Sequence, residues 1–268
     1  MFLKHTDFEK LRDFIFELTG IYLKDTKIIL LSNRIRKRLH DLKLESFEEY
    51  IEYLFKNKEK ELENFINVVT TNETYFFREE KHWNFLKEII INEFNNNSCE
   101  RTIKIWSSAC SSGEEPYTAL IILLENLKEN IKVEIIGTDI NTSILEKAKK
   151  AIYNEDRLQL VSKELKEKYF IKEADKYRLK TEYTKMVKFY RHNLLQPFLM
   201  KEFDIIICRN VLIYFNEESK NKVVENLTNS LKINGYLFLG HSENINESKF
   251  NLKFVKSAIY QKVKENGK

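Results

Sequence analysis

The residues best suited to chemistry lie between Lys104 and Tyr117, where the sequence reads K-I-W-S-S-A-C-S-S-G-E-E-P-Y. An apolar run predicts a buried strand, small side chains predict a turn, and Pro116 suits the first turn of a helix. In α/β proteins, a strand followed by such a turn and a helix forms a ligand site at the carboxyl end of the strand. Glu114, with Glu115 beside it, would repel a phosphate and suit a ligand that carries an ammonium or a sulfonium. The alternative is an ordinary turn whose acids are stabilised by the helix dipole.

Another acid ends the next predicted strand, Val133 to Asp139, 26 positions after Gly113. An acid at the end of the second strand of a β-α-β unit can accept hydrogen bonds from both hydroxyls of a ribose. Asp139 could instead cap the helix that is predicted from residue 141 to residue 148. Because the first motif precedes it, we favour the ribose.

Three further segments supply polar side chains beside predicted strands or helices. Residues 70–79, T-T-N-E-T-Y-F-F-R-E, place polar groups and aromatic rings around Arg78, and they also suit the start of a helix. Asn193 follows a predicted strand, where its amide could meet an adenine edge or serve a turn. Residues 203–208, which are predicted to form a fully buried strand, lead into Arg209 at the same edge of the sheet.

Composition excludes several classes of protein. The 268 residues carry 45 basic and 41 acidic side chains, and a net charge of +4 is too weak to indicate nucleic-acid binding. Cys99, Cys110 and Cys208 show no C-x-x-C spacing, so neither a disulfide framework nor a zinc site is indicated. No apolar run approaches the roughly 18 residues of a membrane span, and the N-terminus does not resemble a signal peptide. We therefore expect a cytoplasmic protein that is not inserted in a membrane.

Apolar residues at helical spacing predict four helices in residues 1–70. Basic and acidic side chains are equally numerous there, but the second predicted helix carries Arg34, Lys37 and Arg38 within one arc. This basic arc is either a solvated helix face or a docking surface for an acidic partner.

Strands and helices alternate from about residue 100 to residue 240, which predicts a doubly wound α/β sheet with an antiparallel finish. Residues 152–168 are predicted to be helical. Residues 168–190 contain a predicted antiparallel hairpin and a strand that returns to the sheet. We divide the chain into an all-helical N-terminal domain (1–70), a connecting segment (71–98) and an α/β domain (99–268).

Five strings then identify a family resemblance. T-T-N-E-T-Y-F-F-R-E, S-S-G-E-E-P-Y-T, T-D-I-N, C-R-N-V-L-I-Y-F and G-H-S-E occur in the order seen in the CheR family of chemotaxis receptor methyltransferases. The resemblance covers nearly the whole chain. It implies a Rossmann-like, class I S-adenosylmethionine-dependent methyltransferase domain with a small antiparallel β insert, preceded by a small all-α domain. It also implies protein-glutamate O-methyltransferase activity on the cytoplasmic helices of bacterial chemoreceptors, by a protein expected to act as a monomer.

The resemblance assigns the site residue by residue. Asp139 would bind the ribose hydroxyls, Glu114 would lie near the cationic end of S-adenosylmethionine, and Arg78 would lie by the methionine carboxylate and the transfer site. The complete expected cofactor site consists of Asn72, Thr74, Arg78, Glu114, Asp139, Asn193, Leu194, Arg209 and Asn210. The demethylated product, S-adenosylhomocysteine, would occupy the same site, and Arg34, Lys37 and Arg38 would face the receptor.

The expected chemistry needs alignment more than proton transfer. A glutamate side chain has a reference pKa of about 4.3, so it is already an anion at neutral pH and needs no general base. Arg78 or Tyr214 is expected to orient this carboxylate. No metal is expected, and His241 is interpreted as a structural residue or part of the rim.

Three other functions stay open on the sequence. A methyltransferase acting on RNA or a small molecule would share the cofactor motifs but would leave the basic arc unexplained. A domain that binds S-adenosylmethionine only to signal would not need Arg78, Arg209 and Asn210. A dehydrogenase is disfavoured by the lone glycine and the two acids of the first motif.

The hairpin bears on how a receptor is held. In some CheR relatives this insert binds a peptide from the receptor C-terminus as an added strand, through a longer loop that contains glycine. Here the turn, residues 172–176, is short, and no glycine occurs between Thr138 and Asn234. A loop without glycine has fewer routes to positive φ. We therefore predict that methylation does not need the peptide tether.

Overall fold

The computed structural model describes residues 2–96 and 101–264. Within them, the N-terminal part consists of α1 (His5–Thr19), α2 (Ile28–Leu42), α3 (Phe47–Lys56) and α4 (Lys58–Val69). The apolar stripes of these helices face one another, and Phe8, Leu11 and Ile35 are fully buried between them. The prediction of four packed helices is confirmed.

Two helix ends show how local sequence sets this arrangement. Gly20 ends α1 with a φ of +74°, and a Cβ at this position would lie 2.9 Å from Cδ1 of Leu195 in the second half of the chain. Glycine therefore permits both the turn and the close packing. Ser46 begins α3 by accepting a 3.1 Å hydrogen bond from the amide of Glu49.

The rest of the described chain alternates helices and strands. The helices are α5 (Glu80–Ile89, continued by a π-helical turn at Ile90–Phe94), α6 (Glu114–Asn126), α7 (Thr142–Lys150), α8 (Lys163–Tyr169), α9 (Thr181–Thr184) and α10 (Glu217–Ser230). The strands are β1 (Arg101–Ser107), β2 (Ile131–Asp139), β3 (Ile152–Asn154), β4 (Phe170–Glu173), β5 (Lys176–Leu179), β6 (Val187–Arg191), β7 (Phe203–Cys208), β8 (Leu231–Leu239), β9 (Leu252–Lys256) and β10 (Ile259–Lys262).

The main sheet has the strand order β6-β2-β1-β7-β8-β10-β9 in the described residues. The pairs from β6 to β8 are parallel, whereas β10 pairs antiparallel with both β8 and β9. Alternate residues of β1 face opposite sides of this sheet. Ile103 and Ile105 share a core with α5 and α6, and Trp106 shares one with α10. The doubly wound fold with an antiparallel finish is confirmed.

The small insert differs from the prediction. Residues 152–168, predicted to be helical, contain β3 and a 3-10 turn, and α8 begins only at Lys163. β3 joins the predicted hairpin, so the insert is a three-stranded sheet of order β3-β5-β4. The short strand escaped prediction because its stability comes from pairing with β5, which lies more than 20 positions away. The turn between β4 and β5 places Ala174 at a φ of +53°, so this turn reaches positive φ without a glycine.

Two of the three cysteines lie in the described part of the chain. Cys110 and Cys208 are buried free thiols, and burial raises the pKa of each. Cys99 and the boundary predicted between residues 98 and 99 lie outside the described residues. Across residues 2–96 and 101–264, no helix is both long and apolar enough to cross a membrane.

Candidate active site

A cavity of about 550 Å³ lies between the helical part and the carboxyl edge of the main sheet. One wall comes from the segment after α1 and from α2, and the other comes from residues that follow β1, β2, β6 and β7. The predicted site residues that line it are Arg34, Asn72, Thr74, Arg78, Asp139, Asn193, Leu194, Arg209, Asn210 and Tyr214. Ten positions from distant parts of the sequence therefore meet at one cavity.

Asp139 closes the end of β2 beneath this cavity. Its Oδ2 accepts a 2.9 Å hydrogen bond from the amide of Ser111, and its Oδ1 accepts a 3.0 Å bond from the amide of Asn141. Burial raises the pKa of Asp139, and the backbone amides oppose that rise. The carboxylate is thus fixed in orientation and keeps lone pairs for two hydroxyl donors.

The two acids of the first motif have different surroundings. Glu114 is 1% exposed, accepts a 2.7 Å hydrogen bond from Ser112 Oγ and does not belong to the cavity wall. Glu115 lines the cavity, where Ser107 Oγ donates to it at 2.7 Å. Burial raises the pKa of both carboxyl groups. The geometry therefore favours Glu115, rather than Glu114, as the acid beside a bound cation.

Arg209 is the centre of a buried ionic network at the floor of the cavity. Its guanidinium lies 3.2 Å from Glu79 Oε2 and 3.3 Å from Glu115 Oε2. It also donates to the carbonyl oxygen of Arg78 and lies over the ring of Trp83. One buried cation is thus shared by two carboxylates, which fixes the floor in place.

Glu79 holds the floor together from the other side. Its Oε1 accepts a 3.1 Å hydrogen bond from Nδ2 of the Asn210 side chain. Burial opposes ionisation of Glu79, but the neighbouring Arg209 and the side-chain amide of Asn210 favour the carboxylate, and its pKa is held below the usual range. Asn210 has a φ of +58°. Its backbone amide donates to Glu243, which also accepts from the amide of Leu212.

Arg78 and Tyr214, the residues expected to orient the substrate, both border the cavity. Arg78 Nη1 donates to the carbonyl oxygen of Glu73 at 2.9 Å, and its guanidinium lies over the ring of Tyr75. The carbonyl oxygen of Tyr214 accepts a 2.8 Å bond from the amide of Tyr22. This bond attaches the segment after β7 to the helical part.

The remaining polar residues join the two walls. Asn193 donates through Nδ2 to the carbonyl oxygen of Leu18 at 2.9 Å, so its amide joins the two walls, and its contact with an adenine edge stays a prediction. Leu194 is buried against the same wall. The carbonyl oxygen of Asn72 accepts from Ser111 Oγ, and Thr74 is buried at the cavity edge.

The three cations of α2 do not form one solvated arc. Arg34 faces the cavity, where it donates to the carbonyl oxygen of Val69 and to Thr71 Oγ1. Arg38 pairs with the buried Glu61 at 2.8 Å, and Lys37 alone of the three is exposed. Sequence spacing placed the cations on one side of the helix, but α4 packs against part of that side. Receptor contact by this group stays a prediction.

Several residues of the site had no predicted role. Glu79, Tyr75 and Trp83 all lie in or next to the T-T-N-E-T-Y-F-F-R-E string, and Glu115 follows Glu114 directly. The aromatic cluster around Arg78 pointed to this region. The pairing of Glu79 with Arg209 spans 130 positions, so no local pattern could have revealed it.

Both parts of the chain match descriptions of known protein families. The protein-family description "CheR methyltransferase, all-alpha domain" matches residues 6–70, and "CheR methyltransferase, SAM binding domain" matches residues 72–261. The chain is similar to a chemotaxis protein methyltransferase of Borreliella burgdorferi, with 39% identity over 267 residues that cover 96% of this chain and 94% of the relative. It is also similar to chemotaxis protein methyltransferase 2 of Vibrio cholerae, with 37% identity and coverage of 96% and 93%. Chemotaxis protein methyltransferase 2 of Pseudomonas aeruginosa is 35% identical, with coverage of 95% and 92%.

Proposed function

Because the chain belongs to the CheR methyltransferase family and uses S-adenosylmethionine, we propose that it forms methyl esters on glutamate side chains of chemoreceptor cytoplasmic helices. The observation that carries this proposal is the position of the cavity. It brings Asp139 and the first motif together with Arg34, Arg78 and Tyr214, and it opens beside the helical part. A protein substrate could therefore dock on the helices and extend one side chain towards the methyl donor.

The residues around the cavity fit S-adenosylmethionine. The fixed carboxylate of Asp139 suits two ribose hydroxyls, and Glu115 gives a negative charge beside a sulfonium or an ammonium. Arg78 supplies a cation for the methionine carboxylate. When bound, S-adenosylmethionine supplies a methyl group on a positively charged sulfur. Glu114 is proposed to support the same region from behind the cavity wall.

The chain's own residues would mainly align the substrate and exclude water. The substrate glutamate is already ionised at neutral pH, so its oxygen can form the new bond to the methyl carbon while the electron pair of the old bond leaves with sulfur. Arg78 and the phenol of Tyr214 are proposed to orient that carboxylate, since both residues line the cavity. Neither needs to remove a proton. Closing the cavity around the carboxylate would strip its water and make it more reactive.

We propose that the receptor helices lie across the mouth of the cavity in the cytoplasm. Lys24, Lys27 and Arg34 belong to the cavity wall on the helical side, and Lys37 is exposed on the same helix as Arg34. Positive charge at this mouth would attract acidic side chains from some distance. The substrate carboxylate itself would be drawn inward by Arg34 and Arg78.

We further propose that a receptor C-terminal peptide is not needed. The turn between β4 and β5 consists of only two residues, Ala174 and Asp175. Although β4 lies at an edge of the small sheet in the described part of the chain, so that strand addition there is physically open, this two-residue turn is not the longer loop through which some relatives hold the peptide. Micromolar binding of a C-terminal receptor peptide in calorimetry, or loss of methylation after removal of the receptor tail, would contradict tether independence.

A labelling experiment tests the proposed substrate class. Purified protein is incubated with a cell extract and tritiated S-adenosylmethionine, and the labelled macromolecules are separated with and without ribonuclease. Label is expected in receptor-sized, ribonuclease-resistant bands. Label that disappears with ribonuclease would indicate an RNA methyltransferase, and binding without any transfer would indicate a sensing domain.

A further inference from the structure

A cluster of two histidines and one carboxylate lies beneath the cavity floor and takes no part in the proposed reaction. Glu79 precedes α5, His82 lies within α5, and His241 follows β8. One ligand atom from each of these residues lies within 4.8 Å of the other two. His82 is fully buried, whereas the side chain of His241 is 38% exposed. The cluster thus reaches from the interior to the surface.

The hydrogen bond of His82 determines which of its ring nitrogens presents a lone pair to the cluster. His82 Nε2 lies 3.0 Å from the carbonyl oxygen of Ser257, and a carbonyl can only accept, so a neutral ring carries its proton on Nε2. Nδ1 is then unprotonated. In metal sites, a ligating histidine donates its other N–H to a backbone carbonyl in this way.

The free nitrogen of His82 is directed into the cluster without a partner. Nδ1 lies 3.3 Å from Glu79 Oε2 but makes no hydrogen bond, because an unprotonated ring nitrogen and a carboxylate oxygen are both acceptors. A buried ring nitrogen without a partner is costly. A cation placed beside the line between these two atoms would be contacted by both.

The separations of the ligand atoms suit a small transition metal ion. Two ligands at about 2.0–2.2 Å from a tetrahedral ion lie about 3.3–3.6 Å apart. Glu79 Oε2 and His82 Nδ1 already have this separation, and His241 Nε2 lies 3.9 Å from the same carboxylate oxygen. Because His241 is partly exposed in a turn, its ring can move towards the other two ligands.

We propose that Glu79, His82 and His241 form a binding site for a divalent transition metal ion such as Zn²⁺, with a water molecule as the fourth ligand. Two imidazoles and one carboxylate are ligands that Zn²⁺, Co²⁺ and Ni²⁺ accept, whereas Mg²⁺ and Ca²⁺ prefer oxygen. The site is separate from methyl transfer, which needs no metal. An ion would enter from the side of His241.

The site is connected to the cavity through Glu79. Arg209 Nη2 lies 3.2 Å from the same oxygen that would bind the ion, and Asn210 contacts the other oxygen. A bound ion would therefore compete with Arg209 for Glu79. Since Arg209 and Asn210 line the cavity, a bound ion is expected to lower the affinity for the cofactor. Bound cofactor is then expected to lower the affinity for the ion by the same factor.

Titration of the full-length, chelator-treated protein with ZnCl₂ in a calorimeter tests the site directly, without cofactor or receptor. The background carries Cys99→Ser, because a thiolate is itself a strong zinc ligand. We expect one equivalent to bind. His241→Ala should weaken binding by about tenfold or more. His40→Ala, which removes a 92% exposed histidine on α2, should leave it unchanged.

Two further measurements decide between the ion and a proton shared by Glu79 and His82. Co²⁺ in place of Zn²⁺ should give the visible absorption of a four-coordinate site, and His241→Ala should remove it. Failure of the protein to bind either ion, or binding that His241→Ala does not weaken, would overturn the proposal. Since His241 is partly exposed, thermal denaturation of His241→Ala should show a folded protein. Neither result depends on methyl transfer, so the proposed function is tested separately.

Discussion

The amide of Ser111 donates a 2.9 Å hydrogen bond to Oδ2 of Asp139, and this bond joins the loop after β1 to the end of β2. It makes the first motif and the second-strand acid one unit, although 28 positions separate them in the chain. The amide of Asn141 holds the other oxygen. The carboxylate is therefore already oriented for the proposed contact with the ribose.

Replacing this carboxylate should weaken binding of S-adenosylhomocysteine. Asp139→Asn removes the charged acceptor, and we expect a loss of about 1.5–3 kcal/mol in calorimetry, the range of charge-assisted hydrogen bonds. Asp175→Asn, at the exposed turn of the small sheet, is the matched control and should bind like the parent. Unchanged affinity in a folded Asp139→Asn protein would remove Asp139 from the cofactor site.

Loss of Arg209 should destabilise the protein more than loss of a surface arginine. Arg209→Met leaves the carboxylates of Glu79 and Glu115 without their shared cation, and breaking such a buried pair costs about 3–5 kcal/mol. Arg178→Met removes an exposed pair with Glu173 and should cost at most about 1 kcal/mol. Urea unfolding measures both. Equal effects would mean that the buried network adds little.

Charge reversal at Lys37 should raise the apparent KM for receptor without changing cofactor affinity. Lys37 is exposed, whereas reversal of Arg34 or Arg38 would also break internal contacts. The effect of Lys37→Glu should shrink as salt rises, because salt screens exposed charges. Lys163→Glu, on the insert, serves as the control. If Lys37→Glu has parent-like kinetics at low salt, α2 does not use this cation for docking.

His192 should make the protein less stable in mild acid. Burial lowers the pKa of His192, whose Nε2 has no hydrogen-bond partner. Below its ordinary pKa of about 6.5 the unfolded chain takes up a proton that the folded chain does not, so stability falls as pH falls towards the lowered value. The slope is at most about 1.4 kcal/mol per pH unit.

His192→Gln removes this titration and isolates its contribution from that of the buried carboxyl groups. Urea unfolding at about pH 7.5 and about pH 5.5 should show a smaller difference for His192→Gln than for the parent. His40→Gln, at an exposed position, should keep the parent's difference. Identical pH dependence in the parent and His192→Gln would show that His192 is protonated equally in both states.

The elements that were predicted correctly have strong local patterns. α1 to α4 have apolar residues at helical spacing, β7 has an apolar run from Ile205 to Cys208, and β1 has apolar residues at Ile103, Ile105 and Trp106. β3 has only three residues and depends on β5 for its hydrogen bonds. Its polar surroundings therefore suggested a helix, and only the folded insert reveals the strand.

The sequence predicts which residues belong to the site better than it predicts what those residues contact. Glu114 and Glu115 are neighbours in sequence, but consecutive helical residues point about 100° apart, and sequence does not tell which one faces the cavity. Arg34 lies in the cavity wall beside Val69 at the end of α4, a position that its place on α2 does not reveal, and its contact with a receptor stays a prediction. Contacts of this kind are set by packing between distant elements.

The most direct test of the account is the identity of the methylated atom. The protein is incubated with a purified chemoreceptor cytoplasmic fragment and S-adenosylmethionine that carries a deuterated methyl group, and tandem mass spectrometry locates the label. We predict label on glutamate side chains of the receptor helices, released as methanol by mild base because the product is an ester. A protein that binds the cofactor but leaves the fragment unlabelled, or that places a base-stable methyl group on nitrogen, would contradict it.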